Sequence, residues 1–145
     1  MCYTGRLFEF DFCGKVVDCH KGGAEYQPWY SSMNLIRNRF SREVDKNPAH
    51  WDISDPDGLC SNLFYYVATA LQVNNMEELK VFPAFGSAFD IYHGIDLFFE
   101  YRGKFCTIDL SCNPNKDSYK ADVMICPEDE LEEIAAEIAN VLLNN

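Results

Sequence analysis

The sequence predicts a single α+β (mixed α/β) domain over residues 1–145, with a central, mostly antiparallel sheet that carries a hairpin at 95–111 and is flanked by about three helices. Three observations predict it. The stretch GIDLFFEY, then RG, then KFCTIDLS reads as two alternating strands joined by a tight turn. Apolar residues recur three or four apart in three separate stretches, the period of helices with one buried face. Strands, two helices, several strands and a last helix follow one another without regular βα alternation. The chain has 145 residues, 48% of them hydrophobic, which is enough for one domain with a full core.

Taken in order, residues 7–12 (LFEFDF) alternate apolar and acidic side chains and read as a strand, with residues 15–17 after Gly14 as its hairpin partner. Residues 20–27, with paired glycines and Pro28 behind them, read as a loop. Residues 31–45 read as a helix whose inner face is Met33, Ile36, Phe40 and Val44, and whose outer face holds the basic cluster Arg37, Arg39, Arg42 and Lys46. A loop around Trp51 follows. Asp55 and Pro56 open the next helix, Asp as N-cap and Pro at the first helical position. It runs to about Val73 with the apolar stripe Cys60, Leu63, Phe64, Val67 and Leu71, which marks it as the central buried helix. Residues 79–82 form a short strand ended by Pro83, and residues 89–92 lead into the hairpin. Residues 112–120 (CNPNKDSYK) are a polar loop and 121–125 a strand. Pro127 starts the final helix, with Leu131, Ile134, Ala135, Ile138, Val141 and Leu142 facing inward.

The hairpin holds the most informative pair of residues. With Arg102 and Gly103 as the turn, Asp96 faces Asp109. Ile95, Leu97, Phe99, Cys106, Ile108 and Leu110 then share one apolar face and both aspartates share the other. A one-residue slip pairs Asp96 with Leu110 and mixes the faces. Two opposed carboxylates repel unless something offsets their charge. Solvent on an outer sheet face, hydrogen bonds from nearby groups, and a bound divalent cation are the three readings open at this point.

Charge and cysteine usage narrow the function classes. The net charge is −11, and residues 127–145 carry six acids (Glu128, Asp129, Glu130, Glu132, Glu133, Glu137) with no Lys or Arg, leaving −5 on the remainder. Such a chain presents no extended basic groove; residues 37–46 are its one basic cluster. The seven cysteines are scattered and form no CxxC pair, the usage of reduced, mostly buried thiols. Cys13, Cys19 and His20 lack the second downstream pair of a zinc site. GKVVDCHKGG lacks the spacing of a phosphate loop, and His50 and His93 stand alone as structural histidines. No apolar run approaches the ~20 residues of a membrane span and no signal-peptide pattern opens the chain, so the expectation is a cytoplasmic protein with no membrane partner.

The stretch 57–125 resembles the core of the PD-(D/E)XK, or restriction-endonuclease-like, nuclease superfamily. Asp96 in IDLFFEY matches the acid on the second strand of a helix-then-meander core, and Asp109 in TIDLS matches the second acid, that of the third-strand acid-X-Lys motif. The resemblance implies Mg²⁺ or Mn²⁺ held by Asp96 and Asp109 and a nucleic-acid substrate. The lysine position of that motif is Ser111, so the resemblance leaves Lys116 or Lys120 of the following loop to supply the amine. It also implies a helix between the third and fourth strands, for which 112–120 is too short. Glu100, Asp90 and His93 are further candidate ligands. A nuclease-like domain, active or degenerate, is the first functional expectation. The second is a small acidic inhibitor that mimics nucleic acid and binds a basic nucleic-acid-binding protein; in size and charge alone the chain is similar to phage anti-CRISPR and anti-restriction proteins. The third is an immunity-type partner of a single protein.

Overall fold

The computed structural model describes Phe8, Phe12 and residues 25–41, 59–113 and 120–144. Helix α1 spans Trp29–Ser41 and α2 Leu59–Leu71; strand β1 spans Leu79–Pro83, helix α3 Ala88–His93, β2 Leu97–Tyr101, β3 Lys104–Leu110, β4 Val123–Ile125, and helix α4 Leu131–Asn144. The sheet order is β1-β2-β3-β4. The first three strands form an antiparallel meander, and β4 joins β3 in parallel. The domain is therefore α+β with a mostly antiparallel sheet, as expected, and its one parallel pair lies at the edge.

The hairpin turn explains the register. Arg102 (φ 50°) and Gly103 (φ 78°) both adopt the left-handed conformation, the geometry of a two-residue turn whose twist matches that of its strands. Pairing then runs from Tyr101↔Lys104 to Leu97↔Ile108, the register that the hydrophobic alternation predicts. Leu97, Phe99, Tyr101, Cys106, Ile108 and Leu110 join α2 and α4 in the main core. The α2 stripe of Cys60, Leu63, Phe64, Val67 and Leu71 is wholly buried there. This helix ends at Leu71 rather than Val73. Gln72 turns left-handed (φ 55°), its N–H donates to the Thr69 carbonyl at 3.1 Å, and the Val73 N–H donates to the Ala68 carbonyl at 3.2 Å. That is a Schellman closure with glutamine where glycine is usual.

The second sheet face is also covered. Met33 and Ile36 of α1 and Phe89 of α3 pack on Phe82, Phe98 and Ile95, with Trp29 and Phe105 against them. The face expected to be polar is apolar along its middle, so the sheet lies between two helical layers. Ile95 belongs to this second cluster, not to the face of Leu97 and Phe99. Helix α3 ends at Gly94 (φ 69°), and the Ile95 N–H still bonds the Phe89 carbonyl at 3.2 Å; strand alternation begins only after Asp96.

Three other elements differ from the sequence reading. Residues 88–93 are helical. Ser87 caps the helix by accepting the Asp90 N–H, and Gly94 closes it, but six residues are too few to show a helical stripe. Helix α4 starts at Leu131, not Pro127, because 126–130 form a turn in which the Asp129 carboxylate accepts the Cys126 N–H at 2.8 Å. Phe8 and Phe12 are helical and meet edge to face at 5.9 Å in the main core; alternation at period two also puts residues i and i+4 on one helix face. The strand proposed at 15–17, the Asp55–Pro56 helix start and the Trp51 loop lie outside the described residues.

Candidate functional site

Asp96 stands immediately before β2, held on both sides. Its carbonyl accepts the Ala84 N–H at 2.8 Å, and its own N–H donates to the Ile108 carbonyl at 2.9 Å. The strand register would have carried Asp96 to Asp109, so the pairing closes one residue early. The side chain then reaches along β3, where the carboxylate Oδ2 accepts the Leu110 N–H at 2.7 Å. Asp96 is thus bonded to the residues on either side of Asp109, and the two acids are neighbours at one end of the sheet. They are 4% and 7% exposed. That burial overturns the solvated-face reading of the pair.

Asp109 pairs with Met124 of β4. Alternation along β3 sends Thr107, Asp109 and Ser111 to the face opposite Cys106, Ile108 and Leu110. Ser111, 9% exposed, continues the parallel pairing: its N–H donates to the Ile125 carbonyl at 2.9 Å, and its Oγ accepts the Asn113 N–H at 3.1 Å.

The other proposed ligands are engaged elsewhere. Glu100 binds Arg37 through two contacts, Nε to Oε2 at 3.1 Å and Nη2 to Oε1 at 3.0 Å. Asp90 Oδ2 accepts the Gly86 N–H at 2.8 Å. His93 Nε2 lies 2.8 Å from the Gln27 carbonyl, and its ring packs against Trp29, Tyr26 and Phe89. Lys120 is exposed and precedes β4 by three residues. Asp122, two residues on, is fixed beside Thr107, whose N–H and Oγ1 both donate to Asp122 Oδ2. Lys116 lies outside the described residues.

Arg37 is the member of the basic cluster whose side chain is described, and it is a structural residue. Besides gripping Glu100, its guanidinium lies 5.0 Å from the centre of the Phe105 ring. It ties α1 to the hairpin. The Arg37 and Glu100 side chains are 36% and 13% exposed, so solvent screens part of the pair. Arg37→Ala is expected to lower unfolding stability by about 1–2 kcal/mol. Arg37→Lys should recover little of that, because one ammonium cannot make the forked contact. Urea unfolding of both variants, in a double-mutant cycle with Glu100→Gln, measures the coupling.

The described thiols are not poised for chemistry. Cys60, Cys106 and Cys126 are buried and Cys112 is half-buried. Burial, reinforced by the charges of Asp122 and Glu137, pushes the Cys106 thiol far above its ordinary range. Burial, then Asp129 and Glu128, raises Cys126. Both stay protonated near neutral pH, which disfavours nucleophilic and soft-metal roles.

The pair offers hard oxygen donors of the kind Mg²⁺ and Mn²⁺ take. A carboxylate has about four lone-pair sites, so the Leu110 bond does not exhaust Asp96. Among the described residues no group of three or more His, Cys, Asp or Glu side chains is arranged to hold a metal ion. Nor is any helix among the described residues long and apolar enough to cross a membrane. No family model, curated protein or solved structure matches the chain.

Proposed function

We propose that the protein is a nuclease-like domain of PD-(D/E)XK type in which Asp96 and Asp109 form a divalent-metal carboxylate pair directed at nucleic-acid phosphodiesters. The observation that carries this reading is the burial of two neighbouring carboxylates at the end of a meander that follows a buried helix. Mg²⁺ or Mn²⁺, when bound, lowers the pKa of a water and offsets charge on phosphoryl oxygens. Asp109 would hold it from within β3. Asp96 is oriented for the same task by the Leu110 N–H. Lys116 or Lys120, from the segment between β3 and β4, would supply the amine of the motif.

Purified protein incubated with plasmid, linear DNA and RNA in Mg²⁺ or Mn²⁺ tests the reading, with EDTA and Asp109→Asn beside it. The expected result is metal-dependent cutting that the variant loses by about 100-fold or more. Mn²⁺ at a hundred times its Kd should also stabilise the wild type by about 2.7 kcal/mol and leave Asp109→Asn nearly unshifted. Cutting that survives the substitution rejects the site.

A second reading has its own observation. Glu128, Asp129, Glu130, Glu132, Glu133 and Glu137 are all exposed, along the turn before α4 and its outer face. An acidic surface of this kind suits a mimic that occupies a basic nucleic-acid-binding protein. Absence of both cutting and Mn²⁺ binding would favour it over the nuclease.

A further inference from the structure

Tyr26 and Tyr92 are 61% and 41% exposed, and their rings meet edge to face at 5.4 Å. Such a contact occupies one of the four ring faces, so flat aromatic surface stays open to solvent. The pair is anchored from beneath. The Gln27 carbonyl accepts the Ser32 hydroxyl at 3.1 Å and lies 2.8 Å from His93 Nε2, and the His93 ring lies 5.9 Å from that of Tyr26. Rings held in place lose little freedom when something stacks on them. Tyr92 precedes Asp96 by four residues, so their Cα atoms are at most about 14 Å apart. The platform therefore stands at the acid-pair end of the sheet.

Positive charge gathers at the other end. Arg37, Lys80, Arg102, Lys104 and Lys120 are the Lys and Arg side chains among the described residues. Arg102 lies in the hairpin turn and Lys104 opens β3. Lys80 opposes Glu100, the carboxylate that Arg37 grips. Glu100 and Glu78 offset Arg37 and Arg102, while Lys80 and Lys104 are exposed. Helix α1 joins the two ends. Trp29 in its first turn packs on Phe89 and His93 of α3, and Arg37, roughly 12 Å further along the axis, reaches the hairpin. Open ring faces near the acids and exposed cations beyond them match a single strand, whose bases stack on aromatics and whose phosphates follow positive charge.

We propose that the nucleic acid taken by this protein is single-stranded, with an unpaired base stacked on the Tyr26–Tyr92 platform and phosphates further along the strand held by Lys80 and Lys104. The inference rests on the nuclease-like reading and adds to it the substrate class. A duplex keeps its base faces inside its own stack and gains nothing from the rings.

The test is fluorescence anisotropy in Ca²⁺ of a labelled single-stranded DNA or RNA oligonucleotide and of the matching duplex, with Mn²⁺ affinity and Tm measured alongside. The proteins are wild type, Tyr26→Ala with Tyr92→Ala, Tyr26→Phe with Tyr92→Phe, and Lys80→Gln with Lys104→Gln. The expected result is single-strand binding about tenfold weaker in the alanine protein and retained in the phenylalanine protein, with duplex binding, Mn²⁺ affinity and Tm unchanged. The glutamine protein should lose roughly 1.4 from the slope of log K against log salt, two phosphate contacts at about 0.7 each. Equal single-strand binding by wild type and the alanine protein overturns the proposal and leaves the metal pair standing. Loss in the phenylalanine protein as well, or a fall in Tm that parallels the loss, also overturns it, since neither comes from open ring faces. An unchanged salt slope overturns the placement of the phosphates. A wild type that binds neither Mn²⁺ nor oligonucleotide rejects both this proposal and the reading beneath it. Single-strand binding that depends on the rings, without any cutting, upholds the platform and rejects the nuclease activity.

Discussion

Phe98→Ala is expected to lower the free energy of unfolding by about 3–5 kcal/mol, the largest effect of a single substitution considered for this fold. Phe98 is fully buried at the centre of the second sheet face. It stacks on Phe82 at 5.1 Å, meets Phe89 edge to face at 5.6 Å and lies 6.3 Å from Phe105. Truncation removes one ring from a four-ring cluster contributed by β1, α3, β2 and β3. The surrounding strands are hydrogen-bonded to one another and cannot collapse into the space, so a cavity term adds to the lost transfer energy. Chemical denaturation should show a lower midpoint with an unchanged m-value. A loss below about 1 kcal/mol would mean that the layer of α1 and α3 does not contribute to cooperative unfolding.

Asp96→Ala is expected to destabilise the protein by about 1.5–3 kcal/mol, the range for a hydrogen bond to a charged group with its partner left buried. The substitution strands the Leu110 N–H, which the carboxylate otherwise satisfies where β2 has ended and β3 continues. Asp96→Asn keeps an oxygen in place for that N–H and should lose less than about 1 kcal/mol. Each substitution also removes the cost of burying a carboxylate, which acts in the opposite direction. The sign of the Asp96→Ala effect, read by thermal or urea unfolding without divalent metal, therefore decides which influence is larger. A stabilised Asp96→Ala would show that the cost of burying the carboxylate exceeds the bond to Leu110.

The hairpin was legible because two independent signals agree there. Arg102-Gly103 suits a left-handed two-residue turn, and alternation on both sides permits one register. Asp96 and Asp109 could be picked out for the same reason. Their burial could not, because burial depends on which distant elements pack together, and local alternation does not record that. Ser111 was visible only as the residue in a lysine's place. Arg37 read as part of a basic face and proved to be a clamp on Glu100, a contact across 63 positions of sequence.

By itself the sequence determined the α+β class, the central buried helix, the hairpin register and the neighbouring acids, since each depends on periodicity or turn chemistry within about twenty residues. Only the tertiary structure decided that both sheet faces are covered, that β4 runs parallel to β3, and that the carboxylates are buried and bracketed by Ile108 and Leu110. Those outcomes depend on which distant elements pack together. Packing is selected by burial summed over the whole chain, and no local run of residues records it.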